Sequence, residues 1–270
     1  MTDLLHTLRS YGPFTAVVIG DFMLDELLYG AAERLSPDAP VPVLHADRTE
    51  RTPGGAANVA RCLRALRAEV RCIGVVGDDE AGRALSEALR SEGCDTAGLI
   101  VDADRPTTQK RSLVGLAQHR HPQKMFRIDV ESRSPIGAAT IDALLAHVDR
   151  VIDQADVVCL EDYNKGVCTE DLCRRLIELC RARDKELIVD PALREDYSRY
   201  RGATAVTPNR TEAELATGLD TPLDATALHN SKLAATLGRE LDLDAVVLTL
   251  DRHGALIEER GGKPILVPTM

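Results

Sequence analysis

The chain has no tryptophan, and aromatic residues make up only 3% of its 270 positions. Its interior must therefore be filled by Leu, Val, Ile and Ala, and a hydrophobic share of 44% is enough for a substantial core. No apolar run approaches the roughly 20 residues that a membrane-spanning helix needs. Residues 1–10 carry Asp3 and lack the basic-then-apolar order of a secretory leader. A formal net charge of −10 disfavours a general nucleic-acid or anionic-membrane binder, because a polyanion needs a basic face. The expectation is a cytoplasmic protein with neither nucleic-acid nor membrane partners.

Other signatures are missing too. There is no Gly-x-Gly-x-x-Gly turn and no Walker A sequence, so a nicotinamide-binding Rossmann domain and a P-loop kinase both lack their main mark. The seven cysteines, Cys62, Cys72, Cys94, Cys159, Cys168, Cys173 and Cys180, contain no Cys-x-x-Cys pair. The spacing of Cys168, Cys173 and Cys180 fits no common zinc pattern, which leaves reduced thiols acting as small hydrophobes. Without a Ser/Gly linker, a repeat or a low-complexity tract, residues 1–270 read as one domain.

What is present is alternation. Short β-branched runs at 15–20, 70–76, 155–160, 186–190 and 245–250 read as buried strands. Stretches with apolar residues at helical spacing lie at 56–66, 80–91, 141–152, 169–183 and 225–237. This order predicts an α/β fold with a mostly parallel sheet and helices on both faces. Ligands of such sheets gather at the carboxyl ends of the strands, where Gly20-Asp21, Asp162, Asp190 and Asn209 fall. Two stretches break the pattern. Residues 24–45 are rich in Pro and Gly, and residues 105–133 read as extended. Together they predict a small β lid over about 22–50 and 104–133. From Arg105 to Arg133 there are seven basic residues (Arg105, Lys110, Arg111, Arg120, Lys124, Arg127 and Arg133) against Asp129 and Glu131. That excess suits either a solvated hairpin face or a clamp for an anionic substrate.

The glycines of Thr52-Pro53-Gly54-Gly55-Ala56-Ala57-Asn58 let backbone approach a ligand, and free amides at a helix start offer donors. A tight turn with a helix cap would look the same. Read in order, the chain resembles the ribokinase-like (PfkB) sugar kinases. The likeness runs from Gly20-Asp21-Phe22-Met23-Leu24-Asp25 through Ser36-Pro37-Asp38-Ala39-Pro40 and Pro53-Gly54-Gly55-Ala56-Ala57-Asn58. It continues through Pro106-Thr107-Thr108-Gln109-Lys110, Glu161-Asp162-Tyr163-Asn164-Lys165-Gly166 and Val189-Asp190-Pro191 to Thr207-Pro208-Asn209-Arg210-Thr211-Glu212. Within that group it is most similar to the D-glycero-β-D-manno-heptose-7-phosphate kinases of ADP-heptose synthesis.

The resemblance implies a ribokinase-like three-layer α/β/α sandwich. It also implies transfer of the ATP γ-phosphate, with Mg²⁺, to the anomeric hydroxyl of that phosphorylated sugar. Asp25, Gly54, Gly55 and Asn58 match the sugar-contacting positions, and Lys110 and Arg127 fall in the lid, where they would meet the sugar phosphate. Asp162, Lys165 and Asp190 match positions near the transfer site. Asn209 and Glu212 match an Asn-x-x-Glu element that serves Mg²⁺ and nucleotide phosphates, with Glu212 acting on the metal directly or through water. Thr249 and Gly254 match a strand and turn bordering the nucleotide, and a homodimer through the lid is usual among relatives. Taken singly, each has an ordinary reading: Asp190-Pro191 as a strand-end turn, Glu212 as a helix-start carboxylate. Asp251 stands where many members have glycine. The family's Gly-Ala-Gly-Asp run, which supplies an anion hole and the catalytic base, occurs nowhere in these residues. The resemblance implies that it follows the position of Met270. The adenylyltransferase half of some heptose kinases is also absent. The expectation is a piece of a longer kinase that turns over negligibly by itself. Another PfkB-family sugar kinase and a non-catalytic sugar- or nucleotide-binding relative are the alternatives.

Overall fold

The computed structural model describes residues 12–116, 121–222 and 226–269. The amino-terminal segment 1–10, Arg120 of the basic stretch and the first residue of the helix expected over 225–237 lie outside them. So does Met270, the position after which the family resemblance places the catalytic aspartate, and that expectation is left without a structural counterpart. Strand β1 (Thr15–Gly20) pairs in parallel with β4 (Glu69–Gly77) on one side and β8 (Val157–Glu161) on the other. The sheet continues in parallel beyond β8 through β9 (Glu186–Asp190), β10 (Ala205–Val206) and β11 (Ala245–Thr249), and beyond β4 to β5 (Asp95–Asp102). It ends in antiparallel β12 (Ala255–Glu259) and β13 (Ile265–Val267).

Helices α1 (Ala56–Ala65) and α2 (Glu80–Ser91) cover one face of this sheet. Helices α3 (Ala138–Val151), α4 (Glu170–Ala182), α5 (Arg210–Thr217) and α6 (Ala227–Glu240) lie on the other. Strand β1 shows why its sequence is apolar throughout. Ala16 and Val18 join Ala57, Ala60, Leu85 and Leu89 in one core cluster, and Val17 and Ile19 join Leu144, Val148, Leu172 and Leu176 in the other. A strand buried on both faces loses the polar alternation of a half-exposed one. This is the three-layer α/β/α arrangement that the sequence predicts. Toward the far edge the second layer thins, and Ile188 and Val247 are only half-buried. Among the described residues no helix is long and apolar enough to cross a membrane.

The two stretches outside the alternation form a second sheet. Strands β2 (Phe22–Leu35), β3 (Pro42–Gly55), β6 (Thr108–Leu116) and β7 (Gln123–Val130) lie in the order β3-β2-β6-β7. Register sorts its side chains by face, because the pleat repeats every two residues. Asp25 stands opposite Thr52 on one side and Lys110 on the other, and Lys110 stands opposite Asp129. The reverse face carries Glu26, buried and ringed by Arg51, Arg111 and Gln109. Burial works against its charge, but the hydrogen bonds from Arg51 and Arg111 outweigh that and hold its pKa below the usual value.

Two joints tie this sheet to the main one. Asp79 caps α2 through the Gly82 amide at 2.7 Å and accepts the Thr107 amide at 2.8 Å, just before β6. After β7, Glu131 pairs with the Lys165 ammonium, and Arg105 donates to the Lys165 carbonyl at 2.5 Å.

Several boundaries move from the sequence reading. Residues 52–55 are the end of β3, paired with the start of β2, rather than a separate turn. Helix α3 begins three residues before the expected 141, where small residues carry no apolar period. Strands β5, β12 and β13 have no counterpart among the expected strands.

Candidate active site

At the junction of the two sheets, Gly54 lies directly under the Asp25 carboxylate. A Cβ built on Gly54 would sit 2.7 Å from the Asp25 carboxyl group, so glycine is what lets that carboxylate lie against the strand end. Gly55 follows at φ 53° as the residue before α1, and no side chain caps the helix. The Ala56 amide donates to the Asp21 carbonyl at 3.1 Å. Asn58 stands exposed in this first turn. Arg127 lies close enough to Asp25 to feel its charge, but its guanidinium is held in a two-pronged pair with Asp129, at 2.8 Å in both contacts. Lys110 has no ion-pair partner among the described residues, and its ammonium lies 5.9 Å from the centre of the Tyr163 ring.

The loop after β8 is organised by Asp21, a residue absent from the motif-based site. Its carboxylate accepts the amides of Tyr163 at 2.8 Å, Lys165 at 3.0 Å and Val167 at 3.3 Å. Burial pushes its pKa up to about 6 against the pull of those amides, with neighbouring Asp162 adding to the rise. Asp162 itself is turned inward. It accepts the Tyr200 hydroxyl at 2.6 Å and the Asn164 amide at 2.8 Å, and Arg199 lies 3.6 Å away. Lys165 is likewise committed to Glu131. These two side chains therefore hold the loop in shape, and Asp162 also borders the cleft that it shares with Asp190 and Glu212. Asp21, Asp162 and Cys168 lie close enough to hold an ion, yet the carboxylate oxygens are taken by donors and the thiol points to the Glu161 carbonyl. The cluster is a hydrogen-bonded hub. All seven cysteines are free thiols, and only Cys62 is exposed.

Beside the hub opens a cleft of about 410 Å³ that includes Arg133, Tyr163, Asp190, Pro191 and Glu212. Asp190 ends β9 and accepts the Thr207 hydroxyl at 3.0 Å. Burial raises its pKa, opposed by Thr207 and by the Tyr163 hydroxyl turned toward it. Glu212 is raised by burial and, against the Asn209 amide, by the charge of Asp190. Asn209 and Glu212 form a reciprocal capping box at the start of α5, at 2.8 and 2.9 Å, so the Asn-x-x-Glu pattern has a structural duty as well as any ligand role. Thr249 bridges to Asn209 and donates its amide to the Pro208 carbonyl at 3.0 Å. Gly254 has its own reason to be glycine: φ is 93°, and a Cβ would strike the Val267 carbonyl. Asp251 adopts φ 51°, the left-handed conformation that glycine takes without strain and aspartate tolerates.

Glu161, the last residue of β8, completes the acidic edge. It is buried, its Oε2 has no hydrogen-bond partner among the described residues, and burial followed by Asp190 pushes its pKa up to about 8. Glu161 and Tyr163 both belong to the stretch Glu161-Asp162-Tyr163-Asn164-Lys165-Gly166. Strand-end position marked this edge, but not which side chains would face the cleft. A contact chain thus runs from Asp25 and Lys110 through Tyr163 to Asp190 and Glu212, and on through Asn209 to Thr249. Gly254 stands apart from it, against β13.

The family model "pfkB family carbohydrate kinase" matches residues 14–270. The bifunctional protein HldE of Wolinella succinogenes is 40% identical over 240 residues, 89% of this chain and 49% of its own length. That of Caulobacter sp. (strain K31) is 42% identical over 269 residues, 99% of this chain and 53% of its own. The chain spans about half the length of these relatives. Among solved structures, phosphofructokinase-2 from Escherichia coli in complex with fructose-6-phosphate superposes with a TM-score of 0.73 at 18% identity, covering 96% of this chain and 80% of that one. Arabidopsis thaliana ribokinase complexed with ribose and ATP gives 0.67 at 17%, covering 95% and 78%. At such identities the structures speak for the fold alone.

Proposed function

Because this chain belongs to the pfkB family of carbohydrate kinases, we propose that it binds D-glycero-β-D-manno-heptose 7-phosphate and serves its phosphorylation by ATP at the anomeric hydroxyl. The observation that carries this reading is the row Thr52, Asp25, Lys110, Asp129 across one face of the second sheet. A carboxylate able to accept two sugar hydroxyls stands beside the Lys110 ammonium, which has no ion-pair partner among the described residues and suits a phosphate, and Lys110 in turn lies near Tyr163 of the cleft that holds Asp190 and Glu212.

In this scheme Asp25, Gly54, Gly55 and Asn58 receive the sugar. Lys110 takes its phosphate, and Arg127 joins once it exchanges Asp129 for the ligand. Asn209, Glu212, Thr249 and Gly254 border the nucleotide. Asp190 and Glu212 are hard oxygen donors with raised proton affinity in one cleft, a donor set that suits Mg²⁺. Bound there, the ion would offset nucleotide phosphate charge. Asp162 and Lys165 act indirectly, by fixing the loop and its joint to the second sheet. That sheet works as a lid whose closure excludes water from the sugar. Its outer strand β7 is exposed throughout, with Phe126 at 66% and Ile128 and Val130 also open, which suits a homodimer through the lid.

The test is titration calorimetry of the polypeptide with heptose 7-phosphate and with the same heptose lacking its phosphate. We expect the phosphorylated sugar to bind at least tenfold more tightly and Lys110→Met to abolish the difference, since a charge-assisted contact contributes about 1.5–3 kcal/mol. Equal affinity for the two sugars would rule the reading out.

A further inference from the structure

Tyr163 joins the two halves of the site, although the family-pattern reading gives it no role. Its backbone is fixed by the Asp21 carboxylate at 2.8 Å, and the residue lines the cleft shared with Asp190 and Glu212. Lys110 approaches from the second sheet, 5.9 Å from the ring centre. An ammonium near an aromatic face is attracted by the ring's quadrupole, more strongly where water is excluded. Lysine is otherwise a point charge on a flexible four-carbon stem, with no planar fork to fix its direction. Lys110 is also the cross-strand neighbour of Asp25. The ring therefore stands where it can hold this cation near the sugar position instead of leaving it spread through solvent.

We propose that Tyr163 is a specificity-determining positioning residue: its ring seats the Lys110 ammonium at the cleft, so that a phosphorylated sugar is preferred to the same sugar without phosphate. The inference rests on the function proposed above and deepens it. Lys110 is carried by the second sheet and Tyr163 by the main one, so the same contact couples the position of the lid to capture of the phosphate.

The experiment compares Tyr163→Phe with a version bearing a ring-fluorinated phenylalanine at that position, which keeps the shape and removes the negative π face. Calorimetry on the full chain gives Kd for heptose 7-phosphate, for the unphosphorylated heptose and for MgATP, in the wild-type and Lys110→Met backgrounds. The expected result is that Tyr163→Phe keeps the wild-type preference. Relative to Tyr163→Phe, which already lacks the hydroxyl facing Asp190, the fluorinated ring should weaken heptose 7-phosphate about fivefold, leave the other two ligands unchanged, and have no effect once Lys110 is gone. A purely structural ring would give a different pattern, with both sugars weakened together or an effect that persists without Lys110, and either overturns the proposal. If the fluorinated ring behaves like Tyr163→Phe while Lys110→Met still abolishes the preference, the Tyr163 inference fails and the sugar-phosphate reading stands. If the wild type shows no preference, both fail.

Discussion

Single residues at the carboxyl edge of the main sheet are crowded with acid, and that crowding has a pH signature. Glu161 is pushed up to about 8, against an ordinary value of 4.5 in the unfolded chain. The folded state therefore holds the Glu161 proton more tightly. This stability is full below about pH 4.5 and is lost progressively as pH rises toward about 8. Glu161→Gln is neutral throughout, so thermal melts should match wild type at the acid end. By pH 8 they should favour the variant by about 2–4 kcal/mol. A constant offset across the series would mean that Glu161 is not titrating. Asp21, pushed up to about 6 from 3.8, acts with the same sign over that lower window. At Gly54 the constraint is steric. Gly54→Ala puts a methyl group 2.7 Å from the Asp25 carboxyl, and we expect sugar affinity to fall at least tenfold for a stability loss of about 1–3 kcal/mol. Unchanged sugar binding would show that Asp25 is not a sugar ligand. The identity of these positions was legible in the sequence, but the direction of their side chains was not. Asp162 and Lys165 lie in the same strand-end loop as Tyr163, yet Asp162 turns to the Tyr200 hydroxyl and the Asn164 amide, and Lys165 to Glu131.

Elements were legible where both faces of a strand are buried. β1 has the bounds its apolar run predicts, since nothing polar interrupts it, and β9 and α2 keep theirs because short strand and helical spacing are both unbroken there. Strands β5, β12 and β13 escaped because they lie at or beside sheet edges, where partial exposure admits Asp95, Asp102, Glu258 and Glu259 and breaks the signal. The joint between the sheets offers a test at this scale. Lys165 and Glu131 have side chains only 11% and 17% exposed. Removing one partner should leave a poorly solvated charge, so Glu131→Gln should cost about 1–3 kcal/mol, and much of that loss should be recovered in the double variant Glu131→Gln/Lys165→Met. Denaturant melts measure this coupling, and strictly additive losses would mean that the pair does not link the sheets. Likewise Asn209→Ala, by removing one side of the α5 capping box, should cost about 1 kcal/mol of stability in addition to any loss of nucleotide affinity.

The whole molecule separates its charge. A chain of net −10 concentrates cations in the stretch that forms β6 and β7, and brings one of them, Lys110, beside the loop at the acidic strand ends of the main sheet. That separation was readable from sequence. The partial neutralisation of Arg127 by Asp129 and of Lys165 by Glu131 was not, because each depends on a register or a loop path that linear spacing does not encode. The central claim is that sugar phosphate and metal–nucleotide share one cleft spanning the two sheets. The most direct measurement is phosphorus NMR relaxation of protein-bound heptose 7-phosphate with Mn²⁺ in place of Mg²⁺. The account predicts that Mn²⁺ speeds relaxation of the 7-phosphate in the wild-type chain and does not in Asp190→Asn/Glu212→Gln. Sugar phosphate that binds to saturation with no response to Mn²⁺ would contradict it.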